Sequence, residues 1–285
     1  MDSLVIAVAP TGARRTRADH AALPLTPAEI ARDAAACAEA GARVIHLHVR
    51  DADGRHTIAA GAYRPALAAV RDAAGDALLV QVTTEAVERF TRHEQMAMVR
   101  ELRPHAVSIA VRELIPDEAA VGDAADFLGW AAGERIGVQF IVYAAEEAAR
   151  LRELVERGVI PSGVGRKPQD GGPHALFVLG RYTTGQRAEP RDLPPFLNEW
   201  PADWPWTVCA FGPLEAQCLG DAIALGGHVR VGFENNLLRP DGALSSGNAE
   251  QVAGIRAIAL RDGRALASPT EARALYCPAA RLAAS

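Results

Sequence analysis

The sequence predicts a closed (β/α)₈ TIM barrel. Short β-rich apolar runs alternate with longer helical patterns along almost the whole chain, and the β-then-α units number eight. No GxGxxG follows the first run, so nothing favours the alternative, an open doubly wound sheet of the dinucleotide-binding kind. The 285 residues suit one such barrel, because α/β barrels of about 250 residues count as one domain. A single domain over residues 1–285 is therefore expected, interrupted by long loops at about 161–172 and 181–204 that are rich in Pro, Gly and charge.

The first strand is the apolar run Leu4–Ala9. Thr26-Pro27-Ala28-Glu29 then reads as a capping box with Pro at the first helical position, opening a helix that runs to about Ala40 and stops at Gly41. Strand two is Arg43–Val49, followed by an Ala-rich helix over Tyr63–Ala74. Strand three, Ala77–Val82, precedes a helix over Arg92–Leu102, and strand four, Ala106–Val111, precedes one over Glu118–Ala132. Strand five, Ile136–Val142, leads into Glu146–Arg157. Strands six to eight are His174–Leu179, Trp206–Phe211 and His228–Phe233, the last two followed by helices Leu214–Leu225 and Ala249–Arg261.

Composition narrows the class. Hydrophobic residues at 49% and charged residues at 23% fit a soluble globular enzyme with a substantial core. A net charge of −5 with scattered arginines argues against nucleic acid as a partner. No apolar stretch approaches the ~20 residues that span a bilayer, which argues against membrane insertion. The N-terminus lacks the basic region of a signal peptide, and the four cysteines show no CxxC spacing. A cytoplasmic location is expected.

His46-Leu47-His48 closes strand two. Alternate residues of a strand face the same side, so the two imidazoles stand together at the carboxyl end of the barrel, where such folds place their active sites. Glu234 lies just beyond strand eight, and strands eight, one and two are consecutive around a closed barrel. Two imidazoles and a carboxylate with an open position suit catalytic zinc and equally a non-haem iron. The plainer reading is a pair of hydrogen-bonded rim histidines.

Further motifs make the chain resemble the β-keto acid cleavage enzymes. They are Thr11-Gly12-Ala13, Thr26-Pro27-Ala28-Glu29-Ile30-Ala31, Ala40-Gly41-Ala42 through His46-Leu47-His48-Val49-Arg50-Asp51, Gln81-Val82-Thr83-Thr84, and Gly226-Gly227-His228-Val229-Arg230-Val231-Gly232-Phe233-Glu234. Ser246-Gly247-Asn248-Ala249 and Ser268-Pro269-Thr270-Glu271-Ala272-Arg273 extend the likeness over nearly the full length. The resemblance implies Zn²⁺ held by His46, His48 and Glu234, and a reaction of a β-keto acid with acetyl-CoA to give acetoacetate and a new acyl-CoA. It implies that Arg230 works with the general base, that Thr83 and Thr84 lie near the substrate carboxylate, and that Ser108 makes a further substrate contact. It also implies a homo-oligomer, possibly a tetramer, to which the apolar stretch Ala274–Leu282 is a candidate contributor.

Two departures from the family pattern carry information. The position after the metal-binding Glu, an Asp base in many members, is Asn235 here, and a carboxamide accepts no proton at physiological pH. Glu85, where the family commonly has Gly, is the leading replacement base, with Glu113 and Asp51 as further candidates. Asp51 is better suited to orienting a ligand or closing a turn with Arg50. The second departure is Arg14, where members acting on amine-bearing substrates carry Glu. Arg14, assisted by Arg112, favours a keto acid whose distal group is anionic or neutral. Arg166, Lys167, Arg181 and Arg187 in the long loops are candidates for the CoA phosphates, whereas His20, His174 and His228 have no assigned role. Asn235 also keeps two alternatives open: a metal-dependent lyase or aldolase without CoA, and a non-catalytic metal- or ligand-binding relative.

Overall fold

The strands follow from β-branched apolar runs and the longer helices from an apolar stripe, with side-chain caps at Thr26, Thr91 and Ser268. In the computed structural model, residues 2–161 and 172–277 are described. The strands are β1 (Ile6–Val8), β2 (Val44–Leu47), β3 (Val49–Arg50), β4 (His56–Thr57), β5 (Leu79–Thr83), β6 (Ala106–Ala110), β7 (Gly137–Val142), β8 (His174–Leu179), β9 (Trp206–Ala210) and β10 (His228–Val231). The helices are α1 (Pro27–Ala40), α2 (Ala60–Ala74), α3 (Arg92–Leu102), α4 (Val111–Leu114), α5 (Val121–Gly133), α6 (Ala145–Glu156), α7 (Pro194–Glu199), α8 (Glu215–Ala224), α9 (Asn248–Arg261) and α10 (Pro269–Tyr276).

Eight strands close a parallel barrel in the order β1-β10-β9-β8-β7-β6-β5-β2. Closure runs through β1, which pairs Val8 with Val231 on one side and with Ile45 on the other. Outward-facing residues such as Ile45, Leu47, Val82 and Val107 pack beneath the helices in the main core. The inner face is unusually polar, with His46, Gln81, Ser108, Gln139, His174, Thr207 and Arg230 all buried. Two apolar clusters bracket that polar layer. Ala110, Ile141, Val178, Cys209 and Phe211 lie toward the carboxyl end, and Val5, Ala7, Val44, Leu79 and Ala106 meet α10 at the floor.

Several elements differ from expectation for local reasons. The second barrel strand ends at Leu47, and β3 turns away to pair antiparallel with β4. Asp51 drives that turn: its Oδ1 accepts from Asp53 and Arg55 amides at 3.0 and 2.8 Å. The fourth barrel strand stops at Ala110 because Val111–Leu114 begins a helical turn. The long 181–204 segment is packed and partly helical, with Phe196 and Trp200 of the α7 region against Phe177 at 5.2 and 5.5 Å between ring centroids. The terminal capping box of Ser268 and Glu271 starts α10, whose Tyr276 and Cys277 are buried in the floor. Of the apolar stretch 274–282, Leu275, Tyr276 and Cys277 are buried in the floor, Ala274 is exposed, and 278–282 lie outside the described residues. Among the described residues, no helix is long and apolar enough to cross a membrane.

Candidate active site

His46, the penultimate residue of β2, and His48, in the break before β3, point to the same side of the barrel mouth. Their Nε2 atoms are 3.2 Å apart. Glu234 arrives from the loop after β10, where its amide donates to the Ala9 carbonyl at 3.1 Å. Two glycines allow this crossing. At Gly232, with φ of 142°, a Cβ would lie 2.5 Å from the Ala9 carbonyl oxygen. At Gly12, with φ of 66°, a Cβ would lie 2.8 Å from Glu234 Cγ. Arg50 fixes the Gly12 loop by donating to the Gly12 carbonyl at 2.6 Å.

The carboxylate is divided between two tasks. Glu234 Oε1 accepts from Arg230 at 2.8 Å. Its Oε2 lies 3.2 Å from His48 Nε2 and 3.7 Å from His46 Nε2, and no well-aligned hydrogen bond satisfies it among the described residues. Donor atoms of one tetrahedral zinc with ~2.0 Å bonds stand roughly 3.3 Å apart, so this set fits a zinc ion. His46 Nδ1 is 2.9 Å from Gln81 Oε1, a pure acceptor. With the amide in that orientation the ring proton sits on Nδ1, and Nε2 keeps its lone pair for the cluster. Burial, reinforced by the Arg230 charge, pushes His46 down to about 3, which keeps it neutral. Burial would raise Glu234, but Arg230 and the two imidazoles hold its carboxyl well below the usual range.

The mouth beside this cluster is lined by Thr83, Glu85, Tyr143, Arg181, Phe211 and Arg230, among others. It continues into a cavity of about 210 Å³ bounded by Gly12, Arg14, Arg15, Glu85, Arg181 and Glu234. Glu85 faces both spaces, with Oε2 3.8 Å from His48 Nε2 and Oε1 3.6 Å from Arg181. The other candidate bases are engaged elsewhere. Glu113 accepts from the Ala86 amide at 3.2 Å and from Gln95 at 2.6 Å, and burial raises its pKa. Asp51 closes its hairpin. Asn235 is buried and lines neither space, and neither atom of its carboxamide has a hydrogen-bond partner among the described residues.

Not every expected substrate contact reaches the mouth. Thr83 does, but the Thr84 hydroxyl donates to the Ser108 carbonyl at 3.1 Å. Ser108 Oγ lies 3.5 Å from His46 Nδ1, so it backs that imidazole. Arg112, carried on α4, pairs with Glu147 at 2.5 Å and stacks on Tyr143 and Tyr182 at 4.6 and 4.9 Å. It lines neither space, because the helical turn after β6 directs it sideways. Arg181 is turned inward onto Glu85 and Phe211 rather than outward. Arg187 is exposed, and Arg166 and Lys167 lie outside the described residues. His20 and His228 serve the fold: His20 Nε2 meets the Ser245 carbonyl at 2.8 Å, and His228 Nδ1 accepts from the Val5 amide at 3.1 Å.

Four site residues escaped sequence reasoning. Tyr143 and Phe211 form the walls, Cys209 accepts from Arg230 at 3.3 Å, and Arg15 borders the cavity. Period-2 alternation marks Cys209 and Phe211 as inward-facing, but no chemical motif distinguishes them from core.

The sequence model described as beta-keto acid cleavage enzyme matches residues 3–277. The 3-keto-5-aminohexanoate cleavage enzyme of Fusobacterium nucleatum is 32% identical, over 96% of this chain and 97% of its own. The 3-oxoadipate:acetyl-CoA acetyltransferase of Cupriavidus necator is 28% identical, over 95% of this chain and 93% of its own. The apo structure of ObcA superimposes with a TM-score of 0.68 at 17% identity, covering 89% of this chain and 65% of that one. At that identity the likeness supports the barrel fold alone.

Proposed function

Since the chain belongs to the β-keto acid cleavage enzyme family, we propose that it converts a β-keto acid and acetyl-CoA into acetoacetate and a new acyl-CoA. The observation that carries this reading is the convergence of His46, His48 and Glu234 at the barrel mouth, with Arg230 and Glu85 beside them. Zinc is the ion assigned to the three ligands, and when bound it supplies Lewis-acid chemistry toward a keto oxygen.

The chain's own groups do the rest. Thr83 and Arg230 orient the substrate at the mouth, and Arg230 offers fixed positive charge where an enolate oxygen develops. Glu85 removes a proton from C2 of the β-keto acid. The carbanion displaces CoA from acetyl-CoA, forming a carbon–carbon bond to the acetyl carbonyl. The released thiolate then adds to the original keto carbon, the C2–C3 bond breaks, and the acetoacetate carbanion recovers the proton from Glu85. Atoms balance without an oxidant or reductant.

Arg14 and Arg15 border the outer cavity, and this favours a distal group that is anionic or neutral. The relative named for 3-oxoadipate, a dicarboxylate, supports the anionic choice. The same reading includes a homo-oligomer in the cytoplasm, read out by light scattering and by fractionation.

Asn235 favours a second reading, a metal-dependent lyase or aldolase without CoA. One experiment decides: metal analysis of the purified protein, then a screen of β-keto acids of differing distal charge with and without acetyl-CoA. Consumption that needs acetyl-CoA and yields acetoacetate supports the transferase. Consumption without it supports the lyase, and a zinc-loaded protein inert across the panel defeats both.

A further inference from the structure

His46 is the top of a buried polar line that runs down to the barrel floor. Its Nδ1 donates to Gln81 Oε1 at 2.9 Å, and Gln81 Nε2 donates to Gln139 Oε1 at 3.0 Å. Gln139 Nε2 in turn lies 3.0 Å from His174 Nε2 and 3.4 Å from the Tyr276 hydroxyl. The Thr207 hydroxyl is 2.8 Å from the same His174 nitrogen. Each of these residues is buried, and they come from β2, β5, β7, β8, β9 and α10.

A line of primary amides has a direction. Turning Gln81 and Gln139 over by 180° fits the same space but reverses every bond. Gln81 would then present N–H to His46 Nδ1, forcing the ring proton onto Nε2, the atom that faces His48 and Glu234. Such an imidazole cannot act as a ligand there. The direction seen, with the amide N–H of Gln139 toward the floor, leaves the Nε2 lone pair free. At the floor, the Tyr276 hydroxyl and the His174 ring receive that last amide, and the Thr207 hydroxyl stands against the same ring nitrogen of His174.

We infer that Gln81 and Gln139 are positioning residues that lock His46 in its Nδ1–H tautomer, and that the floor of the barrel sets the direction of the lock. Its effect on zinc affinity rests on the proposed metal site; the tautomer itself does not.

The test therefore begins without metal. Long-range proton–nitrogen correlation spectra of the ¹⁵N-histidine-labelled, metal-free protein read which ring nitrogen of His46 carries the proton, with His46→Asn supplying the assignment. The wild type is expected to hold Nδ1–H. Gln81→Leu, close in volume but with no acceptor, is expected to give a tautomer mixture and to weaken zinc binding by about 10–100-fold in chelator competition. Gln81→Glu restores an acceptor and brings affinity back to within about threefold of wild type. Gln139→Leu, which does not touch His46, shifts both readouts in the same direction by at least about threefold, a change that loss of packing alone does not produce. An unchanged tautomer and affinity in Gln81→Leu, or no rescue by Gln81→Glu, overturns the inference. Unchanged readouts in Gln139→Leu overturn the control from the floor. A wild type that holds Nδ1–H yet binds no zinc defeats the proposed metal site and leaves the tautomer lock standing.

Discussion

Glu85 Oε2 stands 3.8 Å from His48 Nε2, on the open side of the imidazole pair. Its second oxygen faces Arg181 at 3.6 Å, which leaves one oxygen open toward the mouth. Glu85→Gln is expected to retain zinc while lowering kcat by at least ~10², the low end for loss of a general base. Steady-state kinetics on the best β-keto acid, paired with metal analysis, check this. Turnover close to wild type removes Glu85 from the role.

The proposed zinc site predicts a graded response from His46, His48 and Glu234. His46→Ala and His48→Ala each reduce bound zinc from about one ion per chain to a small fraction, measured by plasma mass spectrometry. Glu234→Gln does the same and also leaves the buried Arg230 guanidinium without its carboxylate, so its melting temperature falls further than in the histidine variants. Chelation of the wild type abolishes turnover, and added zinc restores it. Full zinc occupancy in both histidine variants refutes the site.

Arg14 lines the outer cavity at an exposed position, so its charge can be reversed without disturbing the core. Arg14→Glu is expected to lower kcat/KM for a dicarboxylic β-keto acid by about tenfold or more, and to raise it for an amine-bearing one. The scale is that of one charge-assisted contact at about 1.5–3 kcal/mol. Equal loss on both substrates would mean that residue 14 does not read the distal group.

Burial raises the Glu215 carboxyl from an ordinary 4.5 to about 8. The folded chain therefore keeps a proton that the unfolded chain releases. That contribution to stability is complete below the unfolded value and is lost as pH climbs toward the folded one. Glu215→Gln cannot ionise, so its melting temperature gains on the wild type between about pH 5 and pH 8. The expected gain is at least about 3 °C, the equivalent of roughly 1 kcal/mol in a large domain. Parallel melting curves across that range would show Glu215 to be ionised already at neutral pH.

Sequence alone reaches the barrel and the meeting of His46, His48 and Glu234 for the same reason: both rest on periodicity. The two-residue period places His46 and His48 on one side, and the count of eight units makes the last strand a neighbour of the first. Arg112 was misplaced because nothing in Ala110-Val111-Arg112-Glu113 signals a strand giving way to a helical turn. Thr84 and Ser108 sit beside the right residues, yet their hydroxyls serve a carbonyl and an imidazole already in the fold. Gln81 stands in a motif of the family resemblance but Gln139 in none, and the link between them escapes sequence, since a line of amides between distant strands exists only once the barrel has closed. The capping box at Ser268 was legible as a helix start, but not the burial of Tyr276 beneath the strands.

Barrel closure through β1 also sets a schedule. His46 and His48 leave the ribosome early, whereas Glu234 follows only after 186 further residues, the distance from position 48 to position 234. At ordinary synthesis rates that interval is roughly 10–40 s. Throughout it the nascent chain has two imidazoles without their carboxylate, and a first strand without its last partner. Any ion caught during that time is held by an incomplete set. On the proposed zinc site, the choice of metal thus falls to the finished chain, as one of the last acts of folding.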